Sequence, residues 1–119
     1  MPRQPRRAAE HNLQAKVLRY LTENHAPDVF GFAIPNAGRR TYRAAAALKA
    51  EGMMRGVADT CIMLPRGRTG WLELKTPRGV QSDEQQGFQA RCKRLAHTYR
   101  LARTFDEAVS VLADWGALR

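Results

Sequence analysis

Two short apolar runs, residues 58–64 and 71–75, joined by Pro65-Arg66-Gly67-Arg68-Thr69-Gly70, constrain this chain more than any other feature. Runs of that length, separated by a Pro- and Gly-containing loop, predict two adjacent antiparallel strands. Ile62, Met63, Leu64, Trp71, Leu72 and Leu74 make the hairpin a central element of the fold. Its open end nevertheless carries charge. Period-two geometry sets Glu73 and Lys75 on one face and Leu72 and Leu74 on the other. Asp59, at the start of the first arm, should then lie close to Glu73 and Lys75 on the second. Charges on a central strand need partners or a metal.

The remaining segments alternate around this hairpin. Residues 6–25 carry Ala9, Leu13, Val17, Leu18 and Leu21 at helical spacing, and Pro27-Asp28 end the pattern. Residues 29–34 predict a short strand, closed by the turn composition Pro35-Asn36-Ala37-Gly38. The Ala-rich stretch 40–53 predicts a second helix that stops near Gly52. Ser82 and Gln85 form a capping-box pattern for a third helix, with Phe88, Cys92 and Leu95 on its inward face. Residues 99–102 predict a strand. Thr104 and Glu107 form a second capping box, for a last helix carrying Ala108, Val111, Leu112 and Trp115. The order α-β-α-β-β-α-β-α predicts an α/β fold. A length of 119 residues suits one domain, with residues 1–6 as a basic arm.

Charge narrows the partners. Twenty basic residues against 11 acidic ones leave a net charge of +9. The basic residues divide ten before Gly56 and ten after, so the excess belongs to the folded body rather than to a tail. Such a field favours a polyanion, because neutralised phosphates release counterions. Sixteen of the twenty are Arg, and base composition of the source genome is a second source of that excess. No apolar run approaches the roughly 20 residues of a membrane span, and no apolar segment follows the basic start, so neither a membrane protein nor a secretory signal is expected. Cys61 and Cys92 lie beside Ile62-Met63 and Leu95-Ala96 and read as small core residues. No zinc-ligand spacing links them to His11, His25 or His97. A reducing cytoplasm is the expected compartment.

Hard oxygen ligands such as Asp59 and Glu73 suit Mg²⁺ or Mn²⁺, with water and phosphate completing an octahedron. A dication held there lowers the pKa of a coordinated water and stabilises charge on a phosphoryl group under attack. Lys75 is suited to orient that water or offset negative charge. The alternative is a solvent-facing Glu73–Lys75 pair on an edge strand.

The run Leu48-Lys49-Ala50-Glu51-Gly52-Met53, then Gly56-Val57-Ala58-Asp59, Glu73-Leu74-Lys75-Thr76-Pro77-Arg78-Gly79 and Ser82-Asp83-Glu84-Gln85 resembles the virus-type replication-repair nuclease (VRR-NUC) domain. Ile34-Pro35-Asn36-Ala37-Gly38 and the opening Glu10 and Gln14 fit the same pattern, so the resemblance covers nearly the whole chain in order. It implies a stand-alone member of the PD-(D/E)XK nuclease superfamily, with a central mixed sheet flanked by helices and with Mg²⁺ or Mn²⁺ as cofactor. By position, Asp59, Glu73 and the Leu74 carbonyl would bind metal, Lys75 would be the catalytic lysine, and Glu10 would reach the site directly or through water. Gln85 would position substrate or the metal-bound water. Helix capping is the competing role for Gln85, and a dipole-favoured acid in the first turn is the competing role for Glu10. Two departures stand out: Ala58 replaces the usual proline before the aspartate, and Ala37 stands where glycine is common. Neither removes a metal ligand.

Asn36, Arg39, Arg40 and Arg43, at the turn and the start of the second helix, form a candidate phosphate-binding patch; Arg66, Arg68 and Arg78 are further candidates for the DNA backbone. A solvated helix face is the other reading of the helix arginines. No base-reading motif is visible, so shape rather than sequence of the DNA is the expected determinant, and the resemblance implies branched DNA as the substrate. Stand-alone members of the family resemble junction resolvases, so the resemblance makes a homodimeric Holliday-junction resolvase the leading expectation, its two coordinated incisions served by two equivalent sites. Trp115, Leu118 and the last helix, or the first helix, are its candidate interfaces. A monomeric flap or nicking nuclease and a catalytically inactive DNA-binding module are the alternatives.

Overall fold

The computed structural model describes residues 6–35 and 41–119. Eight elements follow in the predicted order: α1 (Arg6–Asn24), β1 (Phe30–Ala33), α2 (Tyr42–Ala50), β2 (Thr60–Met63), β3 (Thr69–Leu74), α3 (Asp83–Arg94), β4 (Thr98–Ala102) and α4 (Phe105–Asp114). The strands form one mixed sheet in the order β1-β2-β3-β4. β1 and β2 pair antiparallel, as do β2 and β3, in the register Thr60↔Leu72 and Ile62↔Gly70. β4 returns parallel to β3 after the α3 crossover, with Trp71↔Tyr99 and Leu74↔Ala102 aligned.

Alternation sorts the side chains to two faces. On one, Ile62, Leu72, Leu74 and Ala102 pack with Val17 and Leu21 of α1 and with Ala108, Val111 and Leu112 of α4, all buried. The four largest of these in the sheet and α4, Ile62, Leu72, Leu74 and Leu112, are at most 1% exposed, so this layer is a dry core. Trp115 closes its lower end by lying on Gly70, where a β-carbon would stand 2.5 Å from the indole ring. The chain terminus returns to α1 through Ala26 N–H on the Ala117 carbonyl at 2.8 Å and Arg119 N–H on the Asn24 carbonyl at 3.0 Å. The other face is covered only in part. Phe88 of α3 meets the rings of Trp71 and Tyr99 edge-on, with centroids 5.5 and 6.1 Å away.

Three expectations need correction. Leu95 is not inward: it is 57% exposed, because α3 ends at Arg94 and Leu95 is its C-cap. Glu107 does not complete a capping box. Thr104 Oγ1 accepts from the Glu107 N–H at 3.1 Å, but Glu107 Oε2 accepts from the Arg103 N–H at 2.6 Å rather than from the cap residue. Trp115 is buried against the core and so is not available to an interface, while Leu118 is only partly buried against it. By contrast the Ser82–Gln85 box is complete, and both cysteines are buried thiols as expected. No helix among the described residues is long and apolar enough to cross a membrane.

Candidate active site

The site forms where the β2–β3 ladder runs out. Its last backbone pair is Thr60↔Leu72; one step further, side chains take over the cross-strand bonds. Asp59 Oδ2 accepts from the Leu74 N–H at 2.9 Å, and Glu73 Oε1 accepts from the Asp59 N–H at 3.2 Å. The Asp59 carbonyl accepts from the Ile34 N–H at 2.8 Å, which ties the same residue to the β1 side. Below it, the Thr60 hydroxyl donates to the Leu72 carbonyl at 2.8 Å, so this buried side chain is satisfied. Both carboxylates are therefore held by backbone donors, Asp59 by an N–H of β3 and Glu73 by the N–H of the residue that leads into β2.

Gly56 shapes the approach to Asp59. With φ +87°, it lies so close to α3 that a β-carbon would stand 2.3 Å from the Glu84 carbonyl carbon. Only glycine permits that contact, which presses the lead-in to β2 onto the start of the third helix.

Glu73 is fully buried. Burial and the neighbouring Asp59 carboxylate push its carboxyl up to about 8, with Lys75 pulling partly in the other direction. Its Oε2 is buried and has no hydrogen-bond partner. Lys75, 8% exposed, extends past the end of β3, its N–H on the Ala102 carbonyl at 3.0 Å. Glu10, one turn into α1, brings Oε1 to 3.9 Å from Lys75 Nζ. That oxygen too is buried without a hydrogen bond. Two buried carboxylate oxygens without hydrogen bonds, Glu73 Oε2 and Glu10 Oε1, make an environment that a cation would relieve.

The donor set fits a small hard dication. Asp59 stands with Glu73 through its own N–H and with the Leu74 N–H through its carboxylate, and Glu10 reaches Lys75 just past the end of β3. Among the described residues no group of three or more His, Cys, Asp or Glu side chains is gathered tightly enough to hold a metal alone. One or two carboxylates completed by water and substrate phosphate is the arrangement Mg²⁺ takes in phosphoryl-transfer sites.

The other sequence candidates fall in different places. Gln85 Oε1 accepts from the Ser82 N–H at 2.8 Å, so its carbonyl oxygen serves the helix cap. Arg78 is exposed in the turn after Lys75, beside the site. Arg43 is exposed on α2, a helix that buries none of its side chains. Arg66 and Arg68 sit at the loop end of the hairpin, about 20 Å of strand from Asp59; Arg68 donates to the Pro65 carbonyl at 3.3 Å and to that of Trp115 at 3.5 Å. Asn36, Arg39 and Arg40 lie outside the described residues. Sequence reading missed Tyr99, whose hydroxyl accepts from Gln81 Nε2 at 3.0 Å and is pushed up by burial and then by Glu73. It also missed Arg103; no local pattern distinguishes either residue.

No family model and no curated protein matches the sequence. Solved structures do match in fold. One, a "VRR_NUC domain protein", aligns with a TM-score of 0.77 at 17% identity over 96% of this chain and 90% of its own. Another, a "VRR_NUC domain", gives 0.61 at 14% identity over 89% of this chain and 96% of its own. The chain shares the fold of these VRR_NUC domain structures, an α/β core with a mixed sheet flanked by helices, the fold its motifs led us to expect.

Proposed function

We propose that this protein is a divalent-metal-dependent nuclease that hydrolyses phosphodiester bonds in branched DNA, working as a homodimer. The observation that carries the reading is the Asp59–Glu73 pair: two carboxylates clamped by backbone donors at the end of a buried hairpin, one with an orphaned oxygen. Stability alone does not favour such a pair: burial and the facing Asp59 carboxylate hold Glu73 protonated up to about 8, and its buried Oε2 is left without a hydrogen bond.

In this reading Asp59, Glu73 and the Leu74 carbonyl hold Mg²⁺ or Mn²⁺. When bound there, the ion would supply Lewis-acid chemistry, activating a water and neutralising charge on the phosphate. The chain does the rest. Backbone donors at the end of the hairpin fix both carboxylates before substrate arrives, so little reorganisation is needed during reaction. Lys75, anchored at its backbone to β4, offsets negative charge on the phosphate oxygens, with Glu10 holding the ammonium in place. Arg43 and Arg78 are exposed cations suited to flanking phosphates. The +9 charge supports a polyanionic substrate.

The dimer is supported by the half of the sheet face that the described residues leave uncovered. Phe30, Phe32 and Met63 are 64%, 38% and 51% exposed on the face that α3 leaves open. Phe30 and Phe32 stack with centroids 5.8 Å apart, and the stretch 29–35 contains no charged residue. An apolar, uncharged edge strand is a poor surface for phosphate and a suitable one for the same strand of a second copy.

Cleavage of labelled four-way junction, 5′-flap, 3′-flap, duplex and single strand, with Mg²⁺, Mn²⁺ or EDTA, tests the whole reading. Paired symmetric nicks on the junction, lost in EDTA, are expected. Cutting of flaps alone by a species of monomer mass would replace the resolvase with a monomeric flap nuclease. Metal-independent binding without cutting would leave a DNA-binding module.

A further inference from the structure

Arg103, just past the end of β4, ties down the turn that follows Lys75. Its Nη1 donates to the Thr76 carbonyl at 3.0 Å and to the Gly79 carbonyl at 2.6 Å. The Thr76 carbonyl also accepts from the Gly79 N–H at 3.0 Å. A charged donor therefore closes a four-residue turn that its own single backbone bond would hold weakly. The arginine is itself fixed, because its N–H donates to Glu107 Oε2 at 2.6 Å in the first turn of α4.

The turn in its place forms a wall behind Glu10. A β-carbon on Gly79 would stand 3.3 Å from Glu10 Oε1 and 3.0 Å from Thr76 Oγ1. That Oε1 is the buried, unbonded oxygen 3.9 Å from Lys75 Nζ. Any shift of the turn away from Arg103 changes the room available to this carboxylate.

We infer that Arg103 is a positioning residue, which sets where the Glu10 carboxylate stands against Lys75 and the metal by holding residues 76–79. The inference rests on the nuclease reading above and extends it to a residue whose guanidinium bonds the turn beside the site. Two routes perturb the same wall: Arg103→Met releases the turn, and Gly79→Ala leaves Arg103 in place but crowds Glu10.

The experiment compares wild type, Arg103→Met, Arg103→Lys and Gly79→Ala. It reads calorimetric Mn²⁺ binding, maximal cutting rate and KM for DNA, thermal unfolding, and trypsin cleavage after Arg78. Arg103→Met should weaken Mn²⁺ binding and lower the maximal rate by about tenfold, leave KM unchanged, and speed trypsin cleavage. Arg103→Lys should recover part of each loss. Gly79→Ala should show the metal and rate losses with trypsin resistance kept. An Arg103→Met protein that loses only thermal stability, with Mn²⁺ affinity and rate per folded molecule at wild-type values, overturns the proposal. If that variant does not fold, Gly79→Ala decides: a tenfold loss supports the wall, and wild-type behaviour overturns it. Wild type that neither binds Mn²⁺ nor cuts would instead remove the nuclease reading, a failure visible before any substitution.

Discussion

The two faces of β2 and β3 share one backbone and have opposite contents. Towards α1 and α4, Ile62, Leu72 and Leu74 make a dry layer with no unsatisfied polar atom among the described residues. Towards α3, the same strands present Cys61, Trp71 and the buried Glu73, whose Oε2 has no partner. The dry face generates stability; the polar face consumes part of it. Leu74 joins the two, since its side chain lies in the core while its N–H holds Asp59 Oδ2 at 2.9 Å. Rigidity on the apolar side is thereby passed to the carboxylates on the other, the condition for a site that needs no rearrangement at the moment of reaction.

Substitutions on the two faces should separate these roles. Asp59→Asn is expected to reduce cutting about a thousandfold, ~4 kcal/mol of transition-state stabilisation, while thermal unfolding and junction binding stay near wild type. Lost DNA binding with intact cutting would contradict the division. The second effect is on stability and depends on pH. In EDTA the unfolded chain releases the Glu73 proton near 4.5, whereas the folded protein keeps it until about 8. Stability should therefore fall as pH rises between those values, by an amount on the order of a few kcal/mol. Urea unfolding of Glu73→Gln should show a flatter profile across that window. An equal slope in both proteins would mean that Glu73 does not carry the burial cost.

On the dry face, Leu72→Ala should cost about 3 kcal/mol in urea unfolding and leave the cutting rate per folded molecule unchanged. A rate that fell with stability would show that the faces are less separable than their contents suggest. The smallest effect on stability is expected at the uncovered edge. Phe30→Lys should change monomer stability by less than about 0.5 kcal/mol, yet sedimentation should shift the species from dimer to monomer mass. Unchanged mass would remove this edge from the assembly.

Much of this contrast was legible in the sequence. Helix and strand order follow from periodicity and capping patterns, and the alternation Trp71-Leu72-Glu73-Leu74-Lys75 assigns the two faces of β3 correctly. Local spacing also brought Asp59 to Glu73, because a hairpin of known loop length fixes its own register. What stayed hidden depends on contacts distant in the chain. Leu95 looks like a core residue until the helix end turns it outward. Glu107 looks like half of a capping box until Arg103 offers its N–H. Trp115 looks available to a partner until Gly70 opens a seat for its ring. Arg103 is one of sixteen arginines in the sequence, and only the fold brings it to the turn beside Glu10.

Titration of Mn²⁺ into wild type and Asp59→Asn at pH 7, with heat and proton release read together, tests the central claim most directly. The account predicts that wild type binds the ion and releases about one proton, drawn from a carboxyl otherwise neutral up to about 8, and that Asp59→Asn loses the binding. Binding of equal strength in both proteins, or binding without proton release, would contradict the assignment of the buried carboxylate pair as the metal site.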